Sequence, residues 1–192
     1  MFREVIEGRY PKKIALKDGS ELIVRPLASG DRDALLHFFR QVPEEDRLYL
    51  ADDVTDPKVV DRWCAELDFI YVLPLLGLVG GDVVVDATLH REKGGWKGHI
   101  GRVRVVVHPQ YRGRGVGAAL VKELIDIAID IGLDKLDAEF VVQQDRAIHA
   151  FERIGFVKVA QLPQHVLDRH GVAHDLILMV YDLKGEEAFA ID

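Results

Sequence analysis

Cysteine and serine are nearly missing from this chain of 192 residues. The single cysteine, Cys64, excludes a disulfide framework within the chain and a zinc site built on cysteines. A lone cysteine is expected to be a small core residue. The two serines, Ser20 and Ser29, fall at turn and cap positions, and no Gly-x-Ser-x-Gly occurs, which removes a hydrolase nucleophile. A long apolar run is lacking too. The segment from Phe69 to Gly81 is too short to span a bilayer and contains Pro74. Met1 to Tyr10 is charged and has no apolar stretch of the kind a secretory leader needs. These absences point to a cytoplasmic protein with no membrane partner.

What is present is the composition of a folded protein. About half the residues are apolar (48%) and 30% are charged, enough to bury a core without staples. The length fits one domain. The formal net charge of −7 argues against nucleic acid as a partner. The charge is uneven, however. Residues 91–114 carry Arg91, Lys93, Lys97, Arg102, Arg104, Arg112 and Arg114 against Glu92 alone, so this stretch is +6 and the remainder −13. An acidic body with one basic segment suits a small polyanionic ligand in one place and a cationic partner elsewhere.

The pattern predicts the elements in the order ββααβββαβαββ. Ile14–Lys17 and Glu21–Arg25 flank Asp18-Gly19, a hairpin turn signal. Ser29 stands as a cap before a helix carrying Leu35, Leu36, Phe38, Phe39 and Val42, and Pro43 to Asp53 reads as irregular. Asp56-Pro57 opens a second helix with Val59, Val60, Trp63 and Leu67 inside. Strands follow at Phe69–Leu76, with a bulge expected at Pro74, at Asp82–His90 and at His99–His108. A helix with Leu120, Leu124, Ile127 and Ile131 stops at Gly132. A strand at Leu136–Val142, a helix at Asp145–Ile154 and a hairpin, Val157–Val166 with Asp175–Tyr181, complete a mixed α/β (α+β) domain.

The strongest chemical signal is Val105-Val-Val-His-Pro-Gln-Tyr-Arg-Gly-Arg-Gly-Val-Gly117, a strand that empties through a glycine-rich turn into a helix. The first amides of such a helix lack internal partners and carry its positive dipole end, so the turn suits a phosphate or pyrophosphate. A Walker loop requires Lys-Ser/Thr after the last glycine, where this chain has Ala118-Ala119. A dinucleotide fingerprint through Gly113, Gly115 and Ala118 is disfavoured by the residues Pro109 to Arg112 between strand and turn. The pyrophosphate of coenzyme A remains.

Arg112-x-x-Gly115-x-Gly117 behind a valine-rich strand resembles the Q/R-x-x-G-x-G/A motif of the GNAT (GCN5-related) N-acetyltransferases. Gln144-x-x-Ala147-Ile-x-x-Phe151-Glu-x-x-Gly155-Phe156 is similar to that family's Asn-x-x-Ala-x-x-x-Tyr-x-x-x-Gly-Phe segment. The stretch from Leu16 through Arg25-Pro26-Leu27 to Phe39 resembles acetyltransferase domains of bacterial protein-lysine acetyltransferases. The resemblance covers about residues 13–183. It implies a single GNAT domain over 1–192, with a tail after Lys184 that either frays or packs on a partner. The implied fold is a largely antiparallel sheet splayed at the coenzyme A site and flanked by about four helices.

The implied activity is transfer of an acyl group, most simply acetyl from acetyl-CoA, to a primary amine through a tetrahedral intermediate, without a metal. The resemblance puts the pantetheine arm on the backbone of Val105 and Val107, with the oxyanion near Val107. It puts the pyrophosphate on Arg112, Gly113, Arg114, Gly115, Val116 and Gly117, and Gln144 and Phe151 beside the arm. Phe151 stands where the family has a proton-donating Tyr. Arg102 or Arg104 stands where many relatives have a Glu. Glu139, five residues before Gln144, is the candidate base by likeness to ribosomal-protein acetyltransferases, with a solvated carboxylate as the plain alternative and His99 in reserve. Asp68, Asp86 and His90 are placed by topology near an acceptor pocket. His165, His170 and His174 lack the rigid spacing of a metal site. The acceptor is expected to be cationic, a small amine or a protein lysine, and a homodimer is compatible. A coenzyme A-binding sensor without turnover is the rival reading, motivated by Phe151 and Arg102.

Overall fold

The computed structural model describes residues 2–50 and 52–185, so the tail lies outside them apart from Gly185. Eight strands form one sheet: β1 (Lys12–Ala15), β2 (Glu21–Pro26), β3 (Val72–Val79), β4 (Asp82–Arg91), β5 (Ile100–Val107), β6 (Lys135–Val141), β7 (Val157–Leu167) and β8 (Ala173–Asp182). Their spatial order is β1-β2-β3-β4-β5-β6-β8-β7. Each neighbouring pair is antiparallel except β5 with β6. The helices are α1 (Phe2–Ile6), α2 (Arg32–Gln41), α3 (Glu44–Arg47), α4 (Pro57–Ala65), α5 (Val116–Asp130) and α6 (Asp145–Ile154).

Period-2 alternation divides the sheet into two faces. On one face Val85, Ala87, Leu89 and Val103 pack with Leu120, Leu124 and Ile127 of α5 and with Ile148 and Phe151 of α6. On the other, Leu76 and Val83 pack against Leu35, Leu36, Phe38 and Phe39 of α2 and Val60 and Cys64 of α4. Cys64 is thus a core residue, as expected. α5 ends where its apolar spacing ends, with Gly132 left-handed just beyond and Leu133 N–H returning to the Ala128 carbonyl at 2.9 Å.

Four differences from the sequence expectation have local causes. Ser29 does not cap α2. It sits in a 3₁₀ turn, and Asp31 holds the junction by accepting from Ala28 N–H (2.8 Å) and, through both oxygens, from Arg25 (2.6 Å each). Asp56, by contrast, caps α4 as expected, accepting from Lys58 N–H at 2.9 Å. β3 starts at Val72 rather than Phe69, and its register shift falls at Gly77–Leu78, not at Pro74. Pro74 is tolerated because its carbonyl faces Leu27 N–H (3.0 Å), just past the end of β2, and its missing donor breaks no β2 pair. The acidic stretch after Pro43 contains the single turn α3.

The N-terminal ten residues are structural. Phe2 is fully buried in the core against α5. Arg9, Tyr10 and Lys12 converge on Glu123, which is 3% exposed on α5. The Tyr10 hydroxyl donates to Glu123 at 3.2 Å, and Arg9 also pairs with Asp130 at 2.6 Å. Burial and the Glu123 carboxylate together push the Tyr10 phenol up. Removing the carboxylate strips Tyr10 and Lys12 of this partner, while Arg9 keeps Asp126 and Asp130. Glu123→Ala is expected to cost about 2 kcal/mol, less than a fully buried ion pair because Lys12 is half in solvent. Thermal unfolding should show a midpoint roughly 4–8 °C lower.

Candidate active site

β5 and β6 are paired only from Ile100–Lys135 to Arg102–Asp137. Beyond that they diverge, because each stays bound to its outer neighbour: β5 to β4 as far as Val107–Val85, and β6 to β8 as far as Val141–Leu176. The direction of the backbone groups follows from two hydrogen bonds. His108 N–H points to β4, reaching the Val84 carbonyl at 2.9 Å, and the His99 carbonyl points to β6, accepting from Asp134 N–H at 2.8 Å. Alternation therefore turns the peptide groups of Val105 and Val107 into the gap. On β6, Val142 N–H points to β8 (Asp175 carbonyl, 3.2 Å), so the peptide groups of Glu139 and Val141 face the gap.

Two side chains close part of this deficit. Gln144 Oε1 accepts from Val141 N–H at 3.0 Å, and Arg112 Nε donates to the Val107 carbonyl at 3.3 Å. Val107 N–H and the Val105 and Glu139 groups remain turned toward the gap. Backbone N–H and C=O groups seek hydrogen-bond partners, so the gap can pair with an extended chain that has amides of its own. A bound arm of the pantetheine kind fits this chemistry.

The gap leads to the turn before α5. Gly113 and Gly115 are left-handed, with φ of 76° and 89°, a conformation costly for any side chain. Gly117 is needed for a different reason: a Cβ there would stand 3.0 Å from Val107 Cγ2. The first bond inside α5 is Ala119 N–H to the Gly115 carbonyl (2.9 Å), so the amides of Val116, Gly117 and Ala118 have no acceptor within the helix. Arg112 pairs with Asp46 (2.6 Å), and Arg114 pairs with Asp18 (3.3 Å) over the Tyr111 ring. His108 is structural, held by Gln41 (2.9 Å) and Gln110 N–H (3.2 Å).

The other expected residues separate. Phe151 is buried in a ring stack with Phe140 (4.9 Å) and Phe156 (4.8 Å). Glu139 lies on the face away from α5 and pairs with Arg102 at 3.2 Å. His99 precedes the paired end of β5. Val107 lies eight residues, roughly 26 Å, further along the strand, so the structure does not bring His99 to the open end of the gap. His174 pairs with Asp168 (2.9 Å) against the Tyr49 ring, and His170 is exposed. No cluster of three or more metal-ligating side chains occurs among the described residues.

A cavity of about 410 Å³ opens on the face of β3, β4 and β5 that carries α2 and α4. Asp68, Asp86 and His90 all line it, together with Thr88, Arg104 and Val106. Trp63, also on its wall, meets Phe39 edge-on at 5.9 Å, so it serves both core and cavity. Asp86 faces Val106 across the β4–β5 ladder. Burial alone raises its pKa to about 7. His90 is lowered to about 4 by burial and then by Arg104 and Arg102, so it is neutral near pH 7. The sequence did contain the signal for Asp86, an acidic residue at an inward position of a valine-rich strand, but nothing in the strand itself says that this face is hollow.

The profile of the acetyltransferase (GNAT) family matches residues 38–156, more than half of the chain. The chain belongs to the GNAT acetyltransferase family. It is similar to the L-amino acid N-acyltransferase MnaT of Escherichia coli, 40% identical over 60 residues, covering 31% of this chain and 35% of that protein. It is similar also to the thialysine N-epsilon-acetyltransferase of Bos taurus, 24% identical over 141 residues, covering 70% and 83%. Among solved structures, yncA of Salmonella typhimurium, described as a putative acetyltransferase with its cofactor acetyl-CoA, superposes with a TM-score of 0.71 at 23% identity, covering 87% of this chain and 96% of that one. The fold is thus that of this GNAT family, and the chain is an N-acetyltransferase.

Two outcomes test the geometry. Gln144→Ala orphans Val141 N–H, at a cost of about 1 kcal/mol. Hydrogen exchange at the Val141 amide should accelerate, and the melting midpoint should fall by roughly 2–4 °C. Asp86 has a raised folded-state pKa, so its contribution to stability is full below its unfolded value near 4 and lost as pH rises toward about 7. Asp86→Asn removes that loss. The melting midpoint of the variant relative to the parent should therefore climb between pH 4 and pH 8.

Proposed function

We propose that this GNAT enzyme binds acetyl-CoA along the β5–β6 gap and acetylates an amino group presented from the neighbouring cavity. One observation carries the reading: strand pairing stops at Arg102–Asp137, and the backbone of Val105 and Val107 faces an opening that runs to the left-handed glycine turn of α5. When bound, acetyl-CoA supplies an activated thioester. The chain supplies position and charge. Val105 and Val107 offer backbone hydrogen bonds to the pantetheine amides. The Val107 N–H is the donor for an oxyanion. The amides of Val116 and Gly117, with Gly113, Arg112, Gly115 and Arg114, hold the pyrophosphate at the positive end of α5.

Gln144 shapes the far wall by tying down the end of β6, and Phe151 backs it without a proton to give. Losing the usual tyrosine acid is bearable, since such an acid is worth roughly 10²–10⁴-fold while positioning contributes about 7–11 kcal/mol. A thiolate leaves more readily than an amine. Glu139 is paired with Arg102 at 3.2 Å, so its carboxylate is held by a cation of the chain rather than left open to an incoming amine. Two of the relatives are named for an L-amino acid and for thialysine, and a small amine, rather than a protein lysine, is the reading the walled cavity favours. A cytoplasmic location suits such a substrate. Retention of a cavity with a titrating carboxyl beside the gap speaks against a sensor that has lost its chemistry.

The test is thermal unfolding with acetyl-CoA, CoA and NAD separately. Ligand at 100 times its dissociation constant adds about 2.7 kcal/mol, a rise of roughly 5–10 °C. A rise is expected with both coenzyme A species and not with NAD. Gly115→Glu, which forces a charged side chain into a left-handed position of the turn, should abolish the rise. An equal rise in that variant would remove the pyrophosphate from this turn.

A further inference from the structure

The cavity constrains the acceptor more than the gap does. Most of its wall is apolar, with Phe39, Leu50, Trp63, Leu67 and Val106 prominent. The titratable and charged groups that face it are Asp52, Glu66, Asp68 and Tyr71 toward the α4 side and Asp86, His90 and Arg104 on the sheet. Four carboxyl groups thus oppose one guanidinium in the wall, with Asp52 already paired to Arg62 at 3.2 Å, and His90 is neutral near pH 7. An ammonium is drawn to such a site, and a carboxylate on the same ligand is not. The predominantly apolar wall suits an apolar body behind that ammonium better than the polar, multiply charged chain of a polyamine. The tip of the β7–β8 hairpin further restricts a large acceptor. There Arg169 bonds the Asp52 carbonyl and pairs with Asp53 at 3.0 Å, tying the tip onto the segment that carries Leu50 and Asp52.

Asp86 is the carboxyl best placed for the ammonium. It has no hydrogen bond or ion pair among the described residues, and burial is the sole cause of its shift. Its cross-strand partner Val106 lies between Val105 and Val107, whose backbone faces the gap. One strand spacing, about 5 Å, therefore separates β4 at Asp86 from the strand that lines the gap.

We propose that the acceptor is a primary amine on a single apolar body of aryl-alkyl or branched-alkyl type, without a carboxylate, and that Asp86 is the catalytic residue that deprotonates its ammonium. This rests on the acetyl-transfer reading above. The ammonium gives one proton to Asp86. The nitrogen lone pair forms the bond to the thioester carbonyl carbon, and the C–S bond breaks with its electron pair on sulfur. The second nitrogen proton goes to the thiolate, directly or through solvent, and Asp86 returns its proton to solvent. One proton is released per acetyl transferred.

The experiment uses the full chain. Calorimetry first gives the acetyl-CoA dissociation constant. Thiol release is then followed with 2-phenylethylamine, L-phenylalanine, spermidine and a lysine-containing peptide. 2-Phenylethylamine should have the highest kcat/KM, by roughly tenfold or more. Asp86→Asn should lower that value about 10²–10⁴-fold with the acetyl-CoA dissociation constant unchanged, and should abolish its rise through pH 7. Trp63→Ala should raise KM for 2-phenylethylamine and leave acetyl-CoA binding intact, which shows the variant to be folded. A higher kcat/KM for any of the other three acceptors overturns the inference, as does a larger loss in Glu139→Gln than in Asp86→Asn. Tight acetyl-CoA binding with turnover of none of the four overturns it alone. Failure to bind acetyl-CoA overturns the acetyl-transfer reading instead.

Discussion

Backbone hydrogen-bond accounting governs this molecule. β5 and β6 each keep a full ladder with an outer neighbour, and they share only a short parallel stretch with each other. Peptide groups that a continuous sheet would pair are left facing a gap, and a folded chain does not leave such groups unpaired without cause. Arg112 and Gln144 satisfy the ends of the deficit, while its middle stays open. The glycine turn, the first amides of α5 and the open gap are one continuous surface because a single strand, β5, leads into all of them.

The two faces of the same strands divide the labour. Val85, Ala87, Leu89 and Val103 anchor α5, which fixes the helix that the glycine turn opens. Asp86, Thr88, His90 and Arg104, the alternate residues, line a cavity under α2 and α4. Period-2 geometry thus puts the packing under α5 and the cavity on opposite sides of one pair of strands. The Asp86 carboxyl can carry a pKa near neutrality because burial strips it of water and no cation pairs with it among the described residues. Arg102 and Glu139 neutralise each other on the same face, which leaves Asp86 as the unpaired acid in the cavity wall closest to β5.

The N-terminus supports the arrangement from behind. Phe2 and the contacts of Arg9, Tyr10 and Lys12 with Glu123 fasten the chain onto the middle of α5. A short charged segment of this kind carries little periodicity, so its helix and its buried phenylalanine were not legible from the residues alone. The one-turn helix after Pro43 escaped for the same reason. The later start of β3 reflects Phe69, which adopts a left-handed φ of 53° that no apolar pattern announces.

The order of the strands and the four longer helices, the Asp18-Gly19 hairpin, the cap at Asp56, the stop at Gly132 and the strand–turn–helix at 105–117 were determined by the sequence, because each depends on local periodicity or on turn chemistry. Which groups share a site was decided by tertiary structure. Glu139 and Asp86 are both acids on strands, yet one meets Arg102 and the other a cavity, and His99 lies at the far end of the strand that lines the gap. Strand divergence, cross-strand partners and burial arise between segments distant in the chain. They set the desolvation and the charge environment that decide whether a carboxyl group is a solvated surface charge or an acid poised near pH 7.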